Sequence, residues 1–401
     1  MQTNITEQFL ATTLGQQANT ILRKCVHCGF CNATCPTYQL MGDELDGPRG
    51  RIYQIKQILE GQTPSSETQK HLDRCLTCRN CETTCPSGVD YGELLGIGRE
   101  LIEESVKRST WDRFKRWCIR EALAYPKRFN LLLLPGQIMR PLLPSALRKM
   151  IPERHIKQEW PQSSDATRKM LLLQGCVQPA LSPSINHATA TVLSRLNIQV
   201  IEETPAACCG ALHHHTSAQE QALDFIRNRI DTWWPHVENG IEAIVSTASG
   251  CGVHIKDYGQ LLSNDERYKD KAATISSLVK DISEVINQED LSGIQKPAKE
   301  KIAYHPPCTL QHGQKLPGIV EGIFNRIDIE LIPVNDSHLC CGSAGSYSLL
   351  NPKLSDQLGQ NKINYLTANQ PDIIVTANIG CLHHLDTRSE IPVKHWIELL
   401  V

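Results

Sequence analysis

The chain has 401 residues, enough for two or three domains with sizeable cores. Its 41 Lys and Arg nearly cancel its 43 Asp and Glu, a net charge of −2, which argues against a nucleic-acid binder relying on whole-molecule positive charge. The seventeen cysteines are too few for a disulfide scaffold of this length, odd in number, and mostly clustered too tightly for mutual disulfides, so metal ligation is the expectation.

No basic segment followed by an apolar one precedes Cys25, and the longest apolar run, Leu131–Leu134, stops at Pro135, far short of the roughly 20 residues a spanning helix needs. A soluble or peripheral protein of a reducing compartment is expected. A leading helix is predicted over Thr6–Leu22. Then comes Cys25-x2-Cys28-x2-Cys31-x3-Cys35-Pro36, repeated as Cys75-x2-Cys78-x2-Cys81-x3-Cys85-Pro86. Each run has the bacterial ferredoxin spacing, in which three close thiolates wrap one cubane and the fourth ligates the other. Crossing the runs assigns Cys25, Cys28, Cys31 and Cys85 to cluster 1, and Cys75, Cys78, Cys81 and Cys35 to cluster 2. Zinc would prefer two Cys pairs and only four ligands. Between the runs, Pro48–Gly61 carries Ile52, Ile55, Ile58 and Leu59 on a short amphipathic helix, and a further helix is predicted from Tyr91 to Lys107. Gly96-x-Gly98 in that helix lacks a third glycine and follows no strand, so it is not read as a dinucleotide fingerprint.

Residues 107–157 hold 13 Lys and Arg against three acids, a net +10 that leaves −12 on the remainder. Trp111, Phe114, Trp117, Phe129 and Leu131–Leu134 interleave with these charges, and Pro126, Pro135, Pro141 and Pro144 break the segment. It reads as a contact with anionic lipid or an acidic partner face. Cys118, in a predicted helix, is read as a packed core thiol.

Beyond position 165 the chain is duplicated. Cys176, Cys208-Cys209-Gly210 and Cys251 correspond to Cys308, Cys340-Cys341-Gly342 and Cys381, at offsets of 132 residues (130 for the last). Strands at Met170–Leu173, Ile198–Ile201 and Ala243–Ser246, and again at Ile302–Tyr304, Ile327–Ile332 and Ile373–Thr376, alternate with helices that include Ala218–Trp233 and Pro352–Leu366. Such alternation predicts parallel sheets with ligands beyond their carboxyl ends. The eight cysteines are candidate ligands of further clusters, a zinc site, redox-active pairs, or inert core thiols. His213-His-His215 could supply a ligand or a proton relay, and Trp233-Trp234 reads as core or interface. The fold class is α+β multidomain: an α-helical ferredoxin-type domain with two [4Fe–4S] clusters (1–108), a basic connector (109–165), and tandem α/β cysteine-rich repeats (166–290 and 300–401).

The paired runs and the two Cys…Cys-Cys-Gly…Cys repeats resemble iron–sulfur electron-transfer subunits related to the cysteine-rich domain of heterodisulfide reductase. Within that group, Cys25-Val-His-Cys-Gly-Phe-Cys31, the Gly42–Arg51 stretch, Leu72–Gly88, Thr247-Ala-Ser-Gly-Cys-Gly252, Ser337–Gly345 and His395-Trp-Ile-Glu-Leu399 resemble the iron–sulfur subunits of glycolate oxidase (glycolate dehydrogenase) over nearly the whole chain. The resemblance implies a bacterial complex in which flavoprotein subunits, carrying FAD, oxidise glycolate to glyoxylate. This chain would pass the electrons on, towards a quinone or respiratory acceptor, from the cytoplasmic face of the inner membrane. No residue here is assigned a catalytic role on glycolate. The heterodisulfide reductase repeats end in Cys-x2-Cys, whereas here His254 and His384 stand last, which argues against a noncubane cluster of that kind. Alternatives are a thiol/disulfide redox enzyme like heterodisulfide reductase, or the equivalent subunit of a lactate or glycerol-3-phosphate dehydrogenase.

Overall fold

The computed structural model describes residues 1–144, 148, 151–154, 159–161, 166–294 and 300–401. Lys149 and Lys157 of the basic connector lie outside the described residues. The chain forms two compact units: Met1–Lys115 with His338–Lys362, and Arg116–Ser337 with Ile363–Val401. No helix among the described residues is long and apolar enough to cross a membrane.

The first unit is helical. The predicted leading helix is two, Glu7–Leu10 and Thr13–Lys24, because Thr12 leaves the helical conformation and its hydroxyl accepts from Gly15 N–H, starting a second helix. Pro48–Leu59 begins with proline in its first turn and buries Ile52, Ile55, Ile58 and Leu59. Against it packs Tyr91–Ser105. A Cβ at Gly98 would stand 2.5 Å from Ile55 Cγ1, so the Gly96-x-Gly98 pair, rejected as a dinucleotide motif, includes a glycine that two helices need for close approach. Ile5, Leu22, Ile55, Leu59, Leu72, Leu94 and Leu95 form one core.

The second unit contains two sheets of identical topology. β1 (Arg168–Leu172), β2 (Ile198–Glu202), β3 (Ala243–Ser246) and β4 (Val279–Asp281) are parallel in the order β2-β1-β3-β4. β5 (Ile302–His305), β6 (Leu331–Ile332), β7 (Ile373–Thr376) and β8 (Val393–His395) repeat it as β6-β5-β7-β8. β3, β5 and β7 are buried at every residue, as expected when helices cover both faces. The fourth strands, β4 and β8, escaped sequence reading: each has three residues, two of them polar, on a sheet edge. The strand predicted over Ile327–Ile332 contracts to β6, because Asp328 is left-handed (φ 55°) and Ile329 N–H closes the preceding helix on Phe324 O at 2.9 Å. The connector is helical over Thr110–Leu123 and Pro126–Met139, the latter running through Pro135. That helix buries none of its residues, so water can satisfy the carbonyl that Pro135 leaves unbonded.

Candidate metal centres

Both ferredoxin-type runs fold into the same loop. In the first, His27 and Gly29 are left-handed (φ 57° and 86°); in the second, Thr77 and Arg79 stand at the equivalent positions (φ 55° and 58°). These paired inversions curl each loop back on itself, and Thr77 N–H reaches Cys75 Sγ at 3.4 Å. Arg79 adopts the conformation without glycine, whereas a Cβ at Gly29 would lie 2.7 Å from Arg49 Nη1.

Two cavities result. One, of about 430 Å³, is lined by Cys25, Cys28, Cys31 and Cys85, with Cys81 at its edge and Arg49, Ile52, Val89 and Tyr91 around it. The other, of about 300 Å³, is lined by Cys35, Cys75, Cys78 and Cys81, with Arg51, Thr37 and Tyr91. Eight cysteines thus face two neighbouring cavities, Cys81 lining both, and no disulfide joins any of them. Burial pushes the Cys31 thiol up to about 11 and the Cys81 thiol well above the ordinary range, with the neighbouring thiolates adding to both. Convergent cysteines are a soft donor set, and four thiolates per site fit a [4Fe–4S] cluster.

The surroundings differ. Cys28 is exposed and Cys31 and Cys85 are half-buried, whereas Cys35, Cys75, Cys78 and Cys81 are all buried. Beside the first cavity Arg49 pairs with Glu44 at 2.6 Å in partial contact with water. Beside the second, Arg51 is 1% exposed, and Tyr91 donates its hydroxyl to Cys75 Sγ at 3.6 Å. Burial, reinforced by Cys75, holds the Tyr91 phenol protonated. The Arg51 environment was missed from sequence, although a signal existed: Arg51 shares a helix face with Ile55 and Ile58, four and seven residues on.

In the first repeat, Cys176, Cys208-Cys209 and Cys251 follow the carboxyl ends of β1, β2 and β3. The neighbouring Cys176 and Cys209 thiols, with the Gly210 N–H 3.4 Å from Cys208 Sγ, hold the Cys208 thiol well below its ordinary range. Gly210 is left-handed (φ 92°), and Tyr258 donates to Cys209 O at 2.5 Å. His254 stands edge-on to Tyr258, and His213 stacks on Phe225 with a buried Nδ1 that finds no hydrogen-bond partner. Burial lowers the His213 pKa, so the ring is a neutral nitrogen donor close to the thiols. In the second repeat Cys308 and Cys381 lie in the second unit, where Asn378 Nδ2 donates to Cys381 Sγ at 3.5 Å. Cys340 and Cys341 lie in the first unit, and Gly342 N–H reaches Cys340 Sγ at 3.4 Å, the counterpart of Gly210 on Cys208.

Cys118 is half-buried in the Thr110–Leu123 helix. Trp233 is buried and donates to Glu203 at 2.8 Å, while Trp234 donates to Glu238. In the connector, Arg116 is buried and Arg120 donates to Thr216 O at 3.2 Å, so these two serve the fold. Lys115, Lys127 and Arg128 remain exposed, as do Leu131, Leu132, Ile138, Met139 and Leu142.

Residues 21–89 match the 4Fe-4S dicluster domain family, and residues 170–256 and 302–386 each match the cysteine-rich domain family. The chain is 52% identical over 400 residues to the glycolate oxidase iron-sulfur subunit of Escherichia coli (strain K12), covering 100% of this chain and 98% of that protein. It is 24% identical over 238 residues to lactate utilization protein A of Shouchella clausii (strain KSM-K16), covering 56% of this chain and 95% of that one. Among solved structures, a hypothetical protein from Helicobacter pylori shares the fold with a TM-score of 0.51 at 10% identity, over 98% of this chain and 73% of the other. Two dicluster runs, two cysteine-rich repeats and identity along the full length together place this chain in the family of glycolate oxidase iron–sulfur subunits, the electron-transfer subunits of an oxidoreductase.

Proposed function

We propose that this chain relays electrons, through two [4Fe–4S] clusters, from flavoprotein subunits that oxidise glycolate to glyoxylate, and delivers them to a quinone or another respiratory acceptor. The oxidation leaves two electrons and two protons on the partner's FAD, and clusters that each take one electron accept them singly. The observation that carries this reading is the pair of adjoining cavities that eight cysteines line, with Cys81 common to both. Cys25, Cys28, Cys31 and Cys85 would hold cluster 1, and Cys75, Cys78, Cys81 and Cys35 cluster 2. The loops aim the thiols, and apolar residues such as Ile52 and Val89 beside the first cavity and Leu76 beside the second limit their contact with water.

The placement of Cys176, Cys208, Cys209 and Cys251 beyond the carboxyl ends of β1, β2 and β3, where their thiols shift one another's ionisation, favours a further metal centre in the first repeat. Docking at the cytoplasmic face of the inner membrane is supported by the Pro126–Met139 helix. Leu131, Pro135, Ile138 and Leu142 recur along one exposed face, with Lys127 and Arg128 exposed at its start.

Anaerobic co-purification with untagged partners, counting iron, sulfide and flavin per chain, tests the reading. Flavin is expected only when partner subunits are present, and glycolate should then bleach the cluster absorbance. About eight irons per chain means that the repeats are empty, and about twelve to sixteen that they are occupied, at four per cubane. A single chain that carries flavin, or that reduces disulfides unaided, would overturn the proposal.

A further inference from the structure

The second cavity borders a buried block of charge that nothing in electron carriage by itself requires. Arg51 donates through Nε to His71 O at 2.8 Å, through Nη1 and Nη2 to Thr37 Oγ1 at 3.2 Å, and meets Asp46 Oδ1 at 3.5 Å. Asp46 is 0% exposed and is already bound more closely by Arg74 (2.8 Å) and His71 Nδ1 (3.0 Å). Two guanidinium groups therefore share one carboxylate, and the carboxylate's shorter contact is to Arg74. Arg51 keeps a permanent positive charge that Asp46 cancels only in part. Cys35 and Cys75 belong to the cavity that Arg51 lines.

A buried charge without full compensation is costly, unless a negative group completes the site. Adding an electron to a thiolate-held cluster makes it more negative, and burial disfavours that gain. A fixed cation alongside favours it. At the first cavity, Arg49 is neutralised by Glu44, and both are more than a third exposed, where water screens them.

We propose that Arg51 sets the reduction potential of the cluster held by Cys35, Cys75, Cys78 and Cys81, raising it selectively and leaving the neighbouring cluster untouched. The inference rests on the assignment of [4Fe–4S] clusters to the two cavities. Asp46 acts in the opposite sense, and Tyr91 in the same sense as Arg51 but more weakly, through its hydrogen bond to Cys75 Sγ.

The test is a dithionite titration of the anaerobically purified full chain, followed by EPR, with iron counted on every sample. In Arg51→Met the equilibrium constant for reducing one cluster should fall tenfold or more, 59 mV or more for a one-electron couple, with the other cluster unchanged. Arg51→Lys, which keeps the charge, should stay within about threefold of the parent, less than about half of the 59 mV that a tenfold step represents. Asp46→Asn should move the same cluster upward, and Tyr91→Phe should move it slightly downward. Opposite shifts in Arg51→Met and Asp46→Asn are an electrostatic signature, since mere disruption of the block would move both the same way. Should Arg51→Met lose iron, the upward shift in Asp46→Asn and the downward shift in Tyr91→Phe carry the decision. Equal shifts in Arg51→Met and Arg51→Lys, or full iron with no shift in Asp46→Asn, would overturn the role of Arg51. A parent chain with fewer than about eight irons would instead overturn the cluster assignment itself.

Discussion

The two cysteine-lined cavities of the first unit come from one sequence pattern used twice, and they differ in almost everything around it. Loop conformation is shared, down to left-handed residues at 27 and 29 and at 77 and 79. The first cavity opens to water at Cys28 and is flanked by a half-exposed ion pair. All four cysteines of the second are buried, and its flank is a buried four-residue charge network. A ligand motif thus specifies what is bound, while its neighbours decide how the bound group behaves.

The largest effect that could break the comparison comes from the ligands. Cys78→Ala and Cys28→Ala should each strip about four irons of eight, measured colorimetrically against the parent. In the parent, a chelator should draw iron first from the cavity that holds exposed Cys28, so that loss proceeds in two phases of about equal size. A single phase would mean that solvent access does not separate the two sites.

Next comes the charge network. Asp46→Ala leaves buried Arg51 and half-buried Arg74 without their carboxylate and should destabilise the first unit by about 3–5 kcal/mol in urea unfolding. The same stability measurement on the second unit has its own pH dependence, which must be separated before the units are compared. His395 is buried, and burial holds its pKa down to about 4; Nε2–H donates to Thr247 O at 3.0 Å, and Nδ1 accepts from Ile397 N–H. The unfolded chain takes up this proton near 6.5 and the folded chain only near 4, so the unfolded state binds more protons between those values. Stability is full above pH 6.5 and falls by about 3 kcal/mol on acidification to pH 4. His395→Gln should flatten that slope in urea titrations at pH 7 and pH 4.

The smallest effect sharpens the contrast. Glu44→Ala removes the carboxylate of the exposed pair and should cost no more than about 1 kcal/mol. Set beside Asp46→Ala, it separates the exposed flank from the buried one by a factor of three or more. Equal losses would mean that the two flanks are not electrostatically different.

Much of the fold could be read from local pattern. The apolar spacing of Ile52, Ile55 and Ile58 marks a helix because a helix brings those positions to one face. The runs Ala243–Ser246 and Ile373–Thr376, apolar but for their last residue, mark central strands because both faces of such a strand are covered. β4 and β8 were not legible, since Val279-Lys280-Asp281 and Val393-Lys394-His395 are too short and too polar to stand out from a loop. Pro135 misled in the other direction: a proline breaks a helix less when water can take up the carbonyl it orphans.

Spacing alone determined which thiols can act together, because three cysteines at two-residue gaps have few ways to avoid sharing one ligand, and a duplicated pattern announces itself at a constant offset. Tertiary structure decided what those thiols feel. Arg51 and His71 lie on the helices Pro48–Leu59 and Ser66–Asp73, Asp46 just before the first and Arg74 just after the second, and only packing brings them to one flank of one cavity. Packing likewise exposes Cys28 and buries Cys78, its counterpart in the second run. The reason is range: bonding to a metal is a local matter of ligand type and spacing, whereas dielectric and uncancelled charge are sums over every group that folding draws near.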